Sequence, residues 1–283
     1  MGQIVSAAVV CHEPRIMMPK SLREQIGGGA DTSMVEGLAA VRRAIEAARA
    51  DTLVIFDTHW ITTVEHVVAG AAHFKGAYTS DELPTVISDH AYDYAGAAEL
   101  AAAIARVAHE RRVRVLNATS PHLAPHYPTL NLVHHLRSNQ RVLSVGVCQS
   151  AQPHNFLEMG AVIGEAIART DAHAVLLASG GMSHTFWPLD EIPRHRGWSA
   201  EHVRTREARA MDEQILELWR GGEHRAVIDL CPDYRAYQPE GLFGHYLMAI
   251  GAIGGRECRA RGRQMSDYES ALGTGQVHMW FDL

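Results

Sequence analysis

Short runs of aliphatic residues recur along the chain, separated by segments whose apolar positions repeat every three to four residues. Ile4–Val10 reads as a first strand, with His12 just beyond its end. Thr32 or Ser33 can cap a helix running to about Ala50, with Val35, Leu38, Ala39, Val41 and Ile45 on its apolar face. Thr52–Phe56 is a continuous apolar run, the signature of a strand buried on both faces, and Val142–Val147 and Ala174–Ala178 repeat it. Ala95–Val107 predicts an alanine-rich helix, Val113–Leu116 a strand, and the stretch from about Asn155 to Arg169 another helix. Ser199 is placed to cap a long helix to about Arg220, and Gly241–Ile253 reads as a further one. Arg259–Met265 and Gln276–Phe281 read as edge strands, and Pro232–Glu240 as a loop. Strands alternating with helices predict an α/β fold, a central and mostly buried β-sheet with helices on both faces. No proline-rich linker, repeat or low-complexity segment divides the chain, so a single domain over residues 1–283 is expected.

Composition then removes several classes of function. A chain of 283 residues is long enough to bury a large core unaided. With 26 basic and 32 acidic residues the net charge is −6. There is no basic excess to neutralise phosphates, which argues against nucleic acid as a partner. The longest apolar runs are strand-sized, far short of the roughly 18–20 residues that span a bilayer, so no membrane partner is expected. The N-terminus lacks the charged and apolar regions of a signal peptide, and Cys11, Cys148, Cys231 and Cys258 have no CxxC spacing. A reducing, cytoplasmic setting fits both features. What stands out is histidine, with 18 copies.

In open α/β sheets, functional groups gather beyond the carboxyl ends of the strands. Three buried strands end in histidine-bearing segments: Cys11-His12-Glu13-Pro14, Asp57-Thr58-His59-Trp60, and Ser179-Gly180-Gly181-Met182-Ser183-His184. One such histidine is usually structural; three together point to a metal or acid–base site. Neutral imidazoles with one carboxylate make a facial set that leaves open positions on a metal. The candidate carboxylates are Glu13, Asp57 and Glu240, the last between Pro239 and Gly241. By strand alternation Asp57 shares a face with His59, where it can orient that ring or touch substrate, while Cys11 points away from His12. The chain has no HExxH, no P-loop lysine after Gly27–Gly29 and no Gly-x-Ser-x-Gly elbow.

These motifs carry a resemblance. The chain resembles the class III extradiol dioxygenases, catechol ring-cleaving enzymes, through His12-Glu13-Pro14, Phe56–Trp60, Ala178–His184 and Pro239-Glu240-Gly241. Tyr78–Pro84 and Gly273–Gln276 are most similar to the branch that acts on 3,4-dihydroxyphenylacetate. The resemblance implies non-haem Fe(II) held by His12, His59 and Glu240, with His184 as the acid–base histidine. It implies insertion of both atoms of O2 into a small aromatic substrate, opening the ring to a semialdehyde, in a homo-oligomeric enzyme. Relatives carry a second acid–base histidine in an Asp-His-Gly segment. Here His126-Tyr127-Pro128-Thr129 departs from it, so Tyr127 takes the position with His126 beside it and His122 in reserve.

Two other readings use the same residues. A zinc hydrolase would use the His/His/Glu set to activate water, and a binding protein on the same scaffold would need none of the four groups kept together. Arg15, Arg194, Arg196 and Arg235 are the candidate partners for a substrate carboxylate, and the sequence places none of them. His195 and His245 lie near the expected active loops, and Trp187, Trp198 and Tyr237 are candidate pocket walls.

Overall fold

The structure is a computed structural model describing residues 1–283. In the N-terminal half the elements are β1 (Gln3–Val10), α1 (Lys20–Ile26), α2 (Ser33–Ala47), β2 (Thr52–Thr62), β3 (His66–Ala69), β4 (His73–Tyr78), β5 (His90–Ala95), α3 (Ala98–Arg111) and β6 (Val115–Ala118). Then come α4 (Tyr127–Leu136), β7 (Arg141–Cys148), α5 (Pro153–Ala168) and β8 (His173–Ser179). The remainder holds α6 (Arg206–Gly221), α7 (His224–Tyr234), α8 (Gly244–Ala252), β9 (Gly262–Gln264), β10 (Glu269–Ala271), β11 (Thr274–Gln276) and β12 (Met279–Asp282).

Eight strands form one mixed sheet in the order β6-β3-β7-β2-β8-β1-β12-β9. Its centre, β7-β2-β8-β1, is parallel, and β12 and β9 add antiparallel strands at one side. Alternation along the central strands feeds two separate cores. Ala7, Val9, Val54, Phe56, Leu176 and Ala178 face α3, α5 and α8. Ala8, Val10, Leu53, Ile55, Val175 and Leu177 face α2 and α4. Helices on both faces therefore follow from strands that are apolar at every position.

Several boundaries differ from the sequence reading, each for a local reason. Thr32 caps α2, its hydroxyl accepting the Met34 amide at 3.1 Å. Ser199 caps only the single 3-10 turn Ala200–His202; extended backbone at Val203 ends it, and Thr205 opens α6 by accepting the Ala208 amide at 3.1 Å. Residues 232–234, expected in a loop, are the last turn of α7, which runs through Pro232 because Tyr234 is buried and anchored beyond it. The last strand, Met279–Asp282, is internal, lying between β1 and β9, and the edge on that side is β9. Residues 274–276 instead form a hairpin arm with β10. The β4–β5 hairpin, β3 and α4 had no clear pattern; the two hairpin strands are exposed on one face and pair only with each other.

Candidate metal centre and active site

The three histidine-bearing strands are neighbours. β8 lies between β2 and β1, and Ser179 is in register with both Asp57 and Val10, so all three strands release their chains at one level. The β2–β7 ladder then skips from Asp57↔Gly146 to Ile61↔Val147, throwing Thr58, His59 and Trp60 out as a bulge. Bulges of this sort re-aim side chains at the ends of sheets. The bulge also corrects the reading of Asp57. Its buried carboxylate does not reach the His59 ring; it accepts the backbone amides of His59 (3.0 Å) and Trp60 (3.1 Å) and the amide and hydroxyl of Thr129. Asp57 thus shapes the turn that presents His59 and fastens it to the first turn of α4.

His12, His59 and Glu240 converge, their ligand atoms all within 4.8 Å of one another. Glu240 Oε1 lies 3.2 Å from His12 Nε2 and 3.3 Å from His59 Nε2. The other nitrogen of each ring is engaged: His12 Nδ1 with Ser179 Oγ at 2.9 Å, and His59 Nδ1 with Glu82 Oε2 at 3.4 Å. Asn131 donates to the His12 carbonyl at 2.9 Å. Orienting partners on the far nitrogens are what metal-binding histidines use to fix the tautomer. Glu240 is held in turn by the Thr58 hydroxyl at 2.6 Å and the Gly181 amide. The chain around it is contorted: Gln238, Gly241, Leu242 and Phe243 all have φ between 50° and 61°. A Cβ at Gly241 would stand 2.7 Å from Thr58, and Phe243 tolerates its conformation because its ring is locked among Trp219, Tyr234 and Tyr246. Non-glycine residues in this region store strain and cluster at functional sites.

Electrostatics sort the groups into roles. Burial alone would raise the Glu240 carboxyl, but His12, His184 and His59 hold it well below the usual carboxylate range. Burial disfavours a charged His59, yet Glu240 and Glu82 outweigh it and lift the ring to about 10. A site that stabilises positive charge this strongly, with three donors converging, fits a divalent cation. His184 sits 3.7 Å from Glu240 Oε2 through Nε2. Burial, with His12 and His59 beside it, pushes its pKa down despite Glu240, leaving a neutral base. Tyr127 Oη lies 2.8 Å from His59 Nε2; burial and the surrounding carboxylates keep this phenol protonated.

Other expected residues fall elsewhere. His126 precedes α4 in extended backbone and stacks over Trp60 at 6.4 Å, so its ring and that of Tyr127 diverge; only Tyr127 reaches the cluster. His122 is exposed on a turn. Glu13 pairs with Arg15, which also donates to the Arg196 carbonyl and stacks on Trp198. Cys11 is a fully buried thiol with its pKa raised by burial. Trp187 stacks on His195 at 3.6 Å, away from the cavity. His245 is fully buried against Gly180 with neither ring nitrogen hydrogen-bonded.

Two positioning groups were given no role by the sequence, although the Tyr78–Pro84 segment of the resemblance contains one of them. Glu82 comes from the loop between β4 and β5. Asp212 of α6, fully buried, accepts the amide and hydroxyl of Ser183 and the hydroxyls of Tyr234 and Tyr268, fixing the turn that carries His184. Next to the cluster a cavity of about 650 Å3 is lined by His59, His184 and Glu240 and walled by Thr58, Arg235 and Leu242, among others.

Known proteins resemble this chain over most of its length. Residues 6–281 match the family model described as the catalytic LigB subunit of aromatic ring-opening dioxygenase. The chain is 30% identical over 259 residues to 3,4-dihydroxyphenylacetate 2,3-dioxygenase of Escherichia coli, covering 90% of this chain and 91% of that one. It is 25% identical to the 2-aminophenol 1,6-dioxygenase beta subunit of a Pseudomonas species, over 82% of this chain and 79% of the relative. The crystal structure of an uncharacterized Escherichia coli K12 protein superposes with a TM-score of 0.61 at 14% identity, covering 88% and 93% of the two chains, a likeness of fold.

Proposed function

The chain belongs to the family of the catalytic LigB subunit of aromatic ring-opening dioxygenases and is an extradiol ring-cleavage enzyme acting on a small aromatic substrate and O2; from this we propose that its metal is Fe(II), held by His12, His59 and Glu240, and its substrate 3,4-dihydroxyphenylacetate. The observation that carries the reading is the convergence of two oriented imidazoles and one buried carboxylate at the edge of a cavity that also exposes His184. When bound, Fe(II) offers open positions to two catechol oxygens and to dioxygen and lets electrons pass between them.

The chain's own groups supply the proton chemistry. His184, neutral and next to Glu240, takes a proton from a catechol hydroxyl as the diol binds, and can return it later. Tyr127, held protonated with its hydroxyl 2.8 Å from His59 Nε2, is a second proton donor beside the cluster. Asp212, through Ser183, and the Tyr237 carbonyl, which accepts the His184 amide at 3.1 Å, keep the base in place. General acid–base help of this kind is worth about 10²–10⁴-fold.

The test is an anaerobic, Fe(II)-loaded assay over 3,4-dihydroxyphenylacetate, protocatechuate, gallate, catechol and 2-aminophenol, started with O2. A yellow ring-opened product, highest kcat/KM on 3,4-dihydroxyphenylacetate, and loss of both bound iron and turnover in His12→Ala are expected. Preference for another diol or for 2-aminophenol overturns the substrate. Full activity after exhaustive chelation overturns the metal.

A further inference from the structure

The cavity beside the cluster has the size of pockets that enclose small ligands, about 300–1,000 Å3, and one aromatic ring does not fill it. Among its lining residues a single side chain, Arg235, carries a permanent positive charge. The other arginines raised by the sequence are placed elsewhere: Arg15 is committed to Glu13 and Trp198, and neither Arg194 nor Arg196 borders the cavity. Arg235 has no carboxylate partner, and beside it stand Gln149 and Gln238, uncharged hydrogen-bonding groups.

Its placement is tied to the chemistry. Arg235 opens the 3-10 turn Arg235–Tyr237, whose last carbonyl accepts the His184 amide, and the Glu240 amide donates to the Met182 carbonyl at 3.2 Å. Two backbone bonds therefore fasten the segment bearing Arg235 and Glu240 to the segment bearing His184. A group held by the guanidinium is registered against both. The opposite charge is found at the cluster: Glu240 is the acidic side chain that lines the cavity, and Glu82 stands behind the His59 ring. An anionic substituent on the ring is repelled from that side and finds its counter-charge at Arg235, whose planar fork suits a carboxylate.

We propose that Arg235 is the specificity residue of this cavity, binding the carboxylate of the ring substituent, so that the enzyme selects aromatic diols with an anionic side chain. The inference rests on the ring-cleavage reading of the same cavity. The experiment compares wild type, Arg235→Met and Arg235→Lys, all loaded with Fe(II), on 3,4-dihydroxyphenylacetate and on 4-ethylcatechol, which lacks the carboxylate. Calorimetric titration with 4-hydroxyphenylacetate, which has one hydroxyl, provides a binding readout without turnover. In Arg235→Met the ratio of kcat/KM for the carboxylated over the uncharged diol should fall about 10–100-fold, through KM, with partial recovery in Arg235→Lys. Binding of 4-hydroxyphenylacetate should weaken by a similar factor. A ratio within threefold of wild type, or unchanged affinity for 4-hydroxyphenylacetate, overturns the role of Arg235 while ring cleavage stands. Failure of the wild type to cleave either diol overturns the ring-cleavage reading itself.

Discussion

Asp212 offers a sharp test of how the active turn is held. Its carboxylate accepts the Ser183 amide (3.1 Å) and the hydroxyls of Ser183, Tyr234 and Tyr268 (each 2.6 Å), in a position fully closed to water. Asp212→Ala leaves four donors without an acceptor, three of them buried and the Tyr268 hydroxyl part-buried. At about 1 kcal/mol each, the low end of the cost of an unsatisfied buried group, the loss is about 4 kcal/mol. Unfolding entropy of about 2.1 cal/mol/K per residue gives roughly 0.6 kcal/mol/K for a chain of this length, so Tm should fall by about 7 °C. Asp212→Asn keeps one oxygen, enough for two donors, and should cost about half as much. The serine it holds adjoins His184, so the asparagine variant, with its metal content unchanged, should lose about 10–100-fold in kcat, as misplacement near 1 Å typically does. A pH arm adds independent leverage. Burial outweighs the four hydrogen bonds and pushes the Asp212 carboxyl up to about 6. For an acid whose pKa is higher folded than unfolded, the stabilisation is present below the unfolded value and lost as pH rises through the folded one. Wild type therefore loses stability at this group between about pH 4 and 6 whereas the asparagine variant does not. The deficit of Asp212→Asn should be largest near pH 4 and shrink above pH 6. Scanning calorimetry at several pH values, iron analysis and steady-state kinetics read all three. Variants that melt within 1 °C of wild type, or a deficit that grows with pH, would refute the reasoning.

His184→Gln should retain near-stoichiometric iron and still bind a catechol anaerobically while kcat drops by about 10²–10⁴-fold; loss of iron would make it a ligand instead of a base, and unchanged turnover would remove it from the mechanism. Glu82→Gln removes the carboxylate behind the His59 ring and should weaken metal affinity about 10–100-fold, measured by competition with a chelator; unaltered affinity would mean that the 3.4 Å contact does not orient the ligand.

Glu82 and His184 also mark the two sides of what could be read in advance. His184 lies only five residues beyond the end of β8, so the local pattern of a buried apolar run followed by Ser179–His184 points to it directly. Glu82 falls inside the Tyr78–Pro84 segment of the resemblance, but it sits in the connection of a two-stranded hairpin with one exposed face, where no periodicity assigns it a role or a partner. Asp212 likewise looks like an ordinary polar position of α6 until the fold buries it. The bulge at Thr58–Trp60 was hidden too, because its cause is the pairing of β2 with β7, a partner some ninety residues away. Simple alternation across that bulge put Asp57 behind the His59 ring, when it holds the backbone instead.

The sequence by itself determined the α/β alternation, the buried parallel strands and the identity of the groups that meet at their ends. These are properties of short segments: apolar runs dictate burial, and a strand's end dictates where its next residues emerge. Tertiary structure decided which of those ends are adjacent, that Tyr127 and not His126 turns inward, and that Arg235 alone among the candidate arginines faces the cavity. Each of those outcomes depends on strand order, a bulge or a strained turn, and so on contacts between residues far apart along the chain, whose energies no local pattern contains.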